Sequence, residues 1–309
     1  MAGHPGVTRR AMGACGLGFG LGLVRPAASA APTGLQDTGH AVALAGTREF
    51  GLRSAAGRDY RILVARPPGE APPQGYGVLL VLDGNAYFGV AAQAMRMLAR
   101  FPGIGAAAGP PAPLLVVGVG DPGDAELDGA RRTWDFLPVP REGPAHAQRA
   151  QLGAEPGGAD AFLDFLVQTL RPALAARYPL RPDGHTLAGH SLGGYFALHA
   201  LARSPLAFQR YAAISPSLWW DGQRLVADMA QSRPGPGRAR VLLAVARDEL
   251  PGFPERTAAM LDGARRMRGV LAGRGLPPEA LQYLEMERED HLTMPFALMP
   301  AVVRFAAAP

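Results

Sequence analysis

A serine framed by glycines, between a strand-like run and a helix-like run, constrains this chain more than any other feature. The stretch Leu187-Ala188-Gly189-His190-Ser191-Leu192-Gly193-Gly194-Tyr195 reads G-x-S-x-G. His185 to Ala188 precedes the serine as a short extended segment, and Gly194 to Ala202 (GYFALHALA) follows with helix-forming composition. That context predicts a sharp strand-to-helix turn that holds Ser191 in a strained conformation and presents its Oγ above a sheet. A Cβ at position 189 or 193 would crowd the turn, which favours glycine at both. The plainer alternative is a serine that caps an ordinary helix.

The rest of the chain can supply the sheet. Residues 48–53 and 59–65 alternate and predict an antiparallel hairpin. The runs 76–82 (YGVLLVL), 114–119 (LLVVGV) and 241–246 (VLLAVA) are continuously apolar, as strands covered on both faces must be. Shorter strands are expected at 211–214 and 281–287. Helices are expected at 86–100, 159–178, 254–276 and 294–308, with Pro172 a candidate kink in the second. Residues 120–158 have loop composition. Strands alternating with helices predict an α/β, doubly wound, mostly parallel sheet with antiparallel strands at its start. No repeat or linker divides residues 31–309, which are read as one catalytic domain.

Composition removes several kinds of chemistry. None of the 31 basic side chains is a lysine, which excludes a Schiff-base lysine and a phosphate-loop lysine. The formal charge is +5, but three of the arginines behind it, Arg9, Arg10 and Arg25, fall in an acid-free first 30 residues. The remaining arginines are interspersed with acids, and no nucleic-acid footprint emerges. The single cysteine, Cys15, leaves no disulfide or thiolate metal site to be built within one chain.

Residues 1–30 read as a twin-arginine-type export signal. Thr8-Arg9-Arg10-Ala11-Met12 is a basic start, Ala11 to Val24 a mild glycine-rich apolar segment, and Ala28-Ser29-Ala30 an A-x-A cleavage site. The apolar segment is too short to span a bilayer comfortably. The expectation is a periplasmic or secreted protein with no stable membrane insertion, and a monomer. A disordered tail is the alternative.

Elimination locates partners for Ser191. On an α/β sheet with this turn the order is nucleophile, acid, histidine. His199 and His291 are the histidines that follow Ser191. His199 stands about 12 Å along the nucleophile's own helix and is expected to pack rather than react. His291 follows the last strand, at the carboxyl end of the sheet, where a general base belongs. The acid should follow the strand 241–246, and spacing leaves Asp248 and Glu249 both open. An oxyanion site needs two backbone amides. One is expected from Leu192, the other from Gly84 or Asn85, after the strand 76–82.

The chain resembles the esterase branch of the α/β-hydrolases, near the enterochelin and siderophore esterases and the esterase D-like enzymes. The resemblance spans about residues 50–305. It rests on LLVLDGNAYF (79–88), RTWDFLP (132–138), HTLAGHSLGGYFALHAL (185–201), ISPSLWW (214–220), LLAVARDE (242–249) and REDH (288–291). It implies Ser191 as nucleophile and His291 as base, and it favours Glu249 over Asp248. It implies Arg132 near an acyl or anionic group of the substrate, and Trp219 or Trp220 as a pocket wall. Ala246, where the family often has glycine, and residues 139–158 depart from the pattern. The expected function is cleavage of carboxylic esters through an acyl-enzyme, without metal or organic cofactor. A ferric siderophore is one candidate small-molecule substrate. A short-acyl carboxylesterase, an acyltransferase of the same fold and a binding protein that has lost catalysis are the alternatives.

Overall fold

Continuous apolar runs form the centre of an eight-stranded sheet in the computed structural model, which describes residues 37, 39–101, 112–141, 152–232 and 237–308. The expected export signal, and residues 142–151 of the divergent segment, lie outside the described residues. The chain divides into two units, Met1–Ala43 and Leu44–Pro309; the sheet and all its helices belong to the second.

The strands are β1 (Thr47–Arg53), β2 (Asp59–Ala65), β3 (Tyr76–Leu82), β4 (Leu114–Gly120), β5 (Leu180–His190), β6 (Arg210–Ile214), β7 (Arg240–Ala246) and β8 (Leu281–Met286). Their order in the sheet is β1-β2-β4-β3-β5-β6-β7-β8. β1 and β2 form the expected antiparallel hairpin, and β2 joins β4 antiparallel. From β4 onward every pairing is parallel. This is the doubly wound, mostly parallel α/β sheet with antiparallel N-terminal strands that the sequence predicts, and its fold is that of the α/β-hydrolases.

Side chains alternate across a strand, so a strand buried on both faces feeds two cores. Val78, Leu80 and Leu82 of β3 enter one core, and Leu79 and Val81 enter the other. β7 does the same, with Val241 and Leu243 on one side and Leu242, Ala244 and Ala246 on the other. The second core is covered by α1 (Gly84–Arg100) and by the helix Met294–Ala307, which contributes Met294, Leu298 and Val302. The helices between cover the first.

Two helices were not legible in the sequence. Residues 120–158, expected as loop, contain α2 (Gly129–Phe136). It is one short amphipathic stretch, capped by Asp128, whose side chain accepts from the Arg131 amide at 3.0 Å. The second is Arg224–Gln231. The helix expected at 159–178 runs as α3 over residues 159–175, and Pro172 does not end it. The helix widens to a π turn, Phe165–Leu170, which ends two residues before Pro172, whose missing amide interrupts the regular ladder. In chain order the remaining helices are α4 (Leu192–Arg203), α5 (Arg224–Gln231), α6 (Pro254–Gly273) and α7 (Met294–Ala307).

The parallel strands deliver their carboxyl ends to one edge of the sheet. Asp83 follows β3 directly, Ser191 follows β5, Glu249 lies in the turn after β7, and His291 lies in the turn after β8. Residues far apart in sequence meet there because the sheet aligns the strand ends, which is where ligands bind in open α/β sheets.

Candidate active site

Ser191 sits between β5 and α4 with φ 58 and ψ −117. Residues other than glycine rarely adopt this region, and such strain persists only where the surroundings over-determine it. Three backbone hydrogen bonds do so. The Ser191 amide donates to Ile214 O at 3.0 Å, and the Ser191 carbonyl accepts from the amides of Tyr195 at 2.9 Å and Ser217 at 3.1 Å. A Cβ on Gly189 would stand 2.2 Å from Gly193 O, so the turn closes only with glycine there.

Ser191 Oγ lies 3.0 Å from His291 Nε2, and His291 Nδ1 lies 2.7 Å from Glu249 Oε2. The acid is fully buried, and its other oxygen, Oε1, accepts from the Ala246 amide at 2.8 Å. The His291 amide also donates to the Glu249 carbonyl at 2.8 Å. Main chain and side chain thus tie the β7 and β8 turns together. Asp248, the alternative that spacing left open, is exposed, and it is Glu249 that bonds the imidazole. His199 takes no part; its Nε2 bonds Asp160 at 3.0 Å on the far side of α4.

Ser217 was not singled out from the sequence. It is buried, and its hydroxyl lies 3.2 Å from Ser191 Oγ. Two serines, Ser215 and Ser217, in the otherwise apolar ISPSLWW run were the available signal, which does not by itself choose between them. His190 and Tyr87 were missed as well. Tyr87 Oη lies 3.1 Å from His190 Nδ1, and the His190 ring lies 4.6 Å from that of His291, tilted by 49°. Burial, then the neighbouring His291 and Arg132, hold the His190 imidazole well below the usual histidine range, so it is neutral at pH 7. Burial likewise pushes the Tyr87 phenol up to about 12.

The amides expected to bind an oxyanion stand at two helix starts. Leu192 opens α4 and Gly84 opens α1. The first amides of a helix have no partner within it and carry the positive end of its dipole. A Cβ on Gly84 would come within 2.8 Å of the Gly118 backbone, so glycine lets α1 start directly against β4. The Asn85 side chain serves the scaffold, as its Nδ2 donates to the carbonyls of Asp121, Gly123 and Ala125 at 3.1, 3.0 and 2.9 Å.

The three residues expected at the substrate stand in different surroundings. Arg132, expected at an anionic group of the substrate, has its guanidinium on Asp83, at 2.7 Å from Nε to Oδ1 and 3.2 Å from NH2 to Oδ2. Trp220 is fully buried in the core, at the start of the short turn Trp220–Gln223 that precedes α5, and so walls no cleft. Trp219 is half-buried and lines a cavity of about 300 Å³ with Leu250, Arg256 and Met260. Trp220→Ala is accordingly expected to cost about 3–5 kcal/mol of stability, as large aromatic truncations in a core do. Denaturant unfolding would show that loss, with KM unchanged in the fraction that remains folded. Among the described residues no cluster of three or more His, Cys, Asp or Glu side chains is placed to hold a metal ion.

Serine, acid and histidine meet in this way on unrelated folds, each with its own chain order. The order found here, on an α/β sheet with the serine at a strand-to-helix turn, is that of the α/β-hydrolases, and the protein is a serine hydrolase of that class. More narrowly, residues 54–274 match the family model described as "Putative esterase", and the chain belongs to that family of ester hydrolases. It is 29% identical over 260 residues to the ferri-bacillibactin esterase BesA of Bacillus subtilis, covering 82% of this chain and 86% of that one. It is 35% identical over 189 residues to the siderophore triacetylfusarinine C esterase of Aspergillus fumigatus, covering 58% of this chain and 59% of that one. Among solved structures, the BES protein of Bacillus cereus superimposes with a TM-score of 0.73 at 26% identity, over 90% of this chain and 100% of that one.

Proposed function

We propose that Ser191, His291 and Glu249 form the catalytic triad of an esterase that hydrolyses ester-linked siderophores. The observation that carries the catalytic part is the relay itself, 3.0 Å from Ser191 Oγ to His291 Nε2 and 2.7 Å from Nδ1 to Glu249. His291 takes the serine proton as Oγ attacks the ester carbonyl, and it returns a proton to the leaving alcohol. Glu249 holds the imidazole with Nδ1 protonated and stabilises the imidazolium that forms. The amides of Leu192 and of Gly84 or Asn85 receive the developing oxyanion. Water, activated by the same histidine, then hydrolyses the acyl-enzyme. The buried, fully bonded acid argues against a binding protein that has lost catalysis.

The substrate class rests on the relatives, whose names describe esterases of ferri-bacillibactin and of triacetylfusarinine C. We further propose export by a twin-arginine-type signal to the periplasm or the medium, supported by Arg9-Arg10, the mild apolar segment and the Ala28-Ser29-Ala30 site. No described helix is long and apolar enough to cross a membrane.

The test is to incubate the purified protein with a triscatecholate trilactone, with and without iron, and with p-nitrophenyl butyrate, following products by chromatography. The expected result is a kcat/KM for the siderophore at least about 100-fold above that for the small ester, a difference of about 3 kcal/mol in transition-state binding. Cleavage of the small ester alone would retain the serine esterase and discard the siderophore. Transfer of the acyl group to an added alcohol in preference to water would make the protein an acyltransferase.

A further inference from the structure

The two turns that supply the oxyanion amides come from different strands, and one side chain joins them. Asp83, the last residue before α1, has φ 53 and ψ 49, the left-handed region that residues other than glycine seldom occupy. Its carbonyl accepts the amides of Ala86 and Tyr87 at 3.0 and 3.1 Å, so its backbone sets where Gly84 and Asn85 begin the helix. Its carboxylate is 3% exposed and packs against the nucleophile turn, where a Cβ on Gly193 would lie 3.4 Å from Oδ2. Burial pushes its carboxyl up from the usual range, and the Arg132 guanidinium opposes that shift.

Arg132 meets this carboxylate with two nitrogens, and its NH2 also lies 3.5 Å from the carbonyl of His190, the residue before the nucleophile. A planar guanidinium with two contacts to one carboxylate fixes orientation as well as distance. The helix that carries it is itself anchored. Asp128 caps α2, Arg131 pairs with Asp121 at 2.7 Å, and Asp135 accepts from Tyr60 Oη at 3.0 Å. A second link runs in parallel, from Tyr87 on α1 to His190 on β5.

We propose that Arg132 is a positioning residue: it clamps the left-handed Asp83 to the backbone ahead of Ser191, and so fixes the distance between the Gly84–Asn85 amides and the Leu192 amide. The clamp rests on the assignment of Ser191 as nucleophile. It acts on the transition state, because misplaced amides lose the oxyanion before they lose the substrate. A guanidinium that instead met an anionic substrate group would act through KM, and for charged esters alone.

The experiment compares wild type, Arg132→Met, Arg132→Lys and Asp83→Asn on two esters, neutral p-nitrophenyl butyrate and the anionic mono-p-nitrophenyl succinate. Rates are divided by the number of sites that a fluorophosphonate labels at end point, so unfolded protein is not scored as slow enzyme. Inhibition by benzeneboronic acid, whose tetrahedral adduct mimics the oxyanion, is measured alongside. Arg132→Met is expected to lower kcat by about 30- to 300-fold on both esters, with KM within about twofold, somewhat less than the roughly 100- to 1000-fold that outright removal of an oxyanion donor costs. Boronate affinity should fall in parallel. Asp83→Asn should reproduce the loss, and the double variant should be no slower than the worse single one, since both remove one contact. Arg132→Lys, which keeps the charge and one donor, should recover part of the rate. A loss confined to the anionic ester and carried by KM overturns the clamp in favour of substrate contact. An unchanged kcat per labelled site overturns it in favour of a purely structural pair. If Arg132→Met does not fold, Arg132→Lys and Asp83→Asn make the same comparison. Failure of the fluorophosphonate to label Ser191 in wild type would instead remove the nucleophile assignment, a result distinct from both.

Discussion

Ser191→Ala should lower kcat for ester hydrolysis by about 10⁴- to 10⁶-fold while the protein stays folded, the range seen when the nucleophile of a serine hydrolase is removed. The large effect follows from the relay, because without Oγ the His291 imidazole has no proton to take and no acyl-enzyme forms. The folded state should be indifferent to the change. The hydrogen bonds that hold residue 191 at φ 58 use its amide and carbonyl, which alanine keeps. The lost side-chain contacts are those to His291 and Ser217. The thermal midpoint should therefore be unchanged or slightly raised, as strained active-site residues are held at some cost to stability. Steady-state kinetics and a melting curve on the same preparation check both halves. Undiminished turnover in this variant would end the assignment, and a collapsed melting curve would show that the hydroxyl is structural.

Ser191 and His291 stood out in the sequence for different physical reasons. Gly189 is demanded by backbone crowding, a local constraint written in the motif itself, whereas a Cβ on Gly193, also expected to crowd the turn, would meet only side chains at ordinary contact distance, the nearest Asp83 Oδ2 at 3.4 Å. His291 emerged by exclusion, because chain order on an α/β sheet leaves few histidines after the serine. The strands were legible because burial on two faces forces uninterrupted apolar runs, as in β3 and β7. α2 was not legible. Its eight residues, GARRTWDF, have few apolar positions, and its seat depends on contacts from Asp59, Tyr60 and Asp121, distant in sequence. The same dependence hid the pairing of Arg132 with Asp83, separated by 49 residues. A charged residue in a motif signals that it matters, but its partner is a property of the fold. Trp219 and Trp220 show the limit in another form. Adjacent tryptophans are indistinguishable by composition, and only the fold makes Trp219 a cavity wall and Trp220 a core residue.

The choice between Asp248 and Glu249 yields the second large effect. Glu249→Gln should lower kcat by about 10³- to 10⁴-fold, and Asp248→Asn should leave it within about twofold. The reason for the first lies in the bond from the Ala246 amide to Glu249 Oε1 at 2.8 Å. That N–H can only donate, so a glutamine at 249 must turn its amide oxygen toward it. Its NH2 group then faces His291 Nδ1, 2.7 Å away in the native pair. The imidazole is driven to accept at Nδ1 and carry its proton on Nε2, the tautomer that cannot receive a proton from Ser191. An equivalent acid-to-amide change in another serine hydrolase costs about 10⁴ in kcat for this reason. Glu249→Ala removes the carboxylate without imposing the wrong tautomer, and should therefore be less impaired than Glu249→Gln although it removes more atoms. That inversion separates a tautomer effect from a packing effect, since loss of packing ranks the two the other way. Asp248 is exposed and touches neither histidine nor serine, so its neutralisation has no route to the reaction. Measuring kcat for the three variants on one ester is sufficient. A Glu249→Gln enzyme within tenfold of wild type, or an Asp248→Asn enzyme reduced by several hundredfold, would move the acid of the triad away from residue 249.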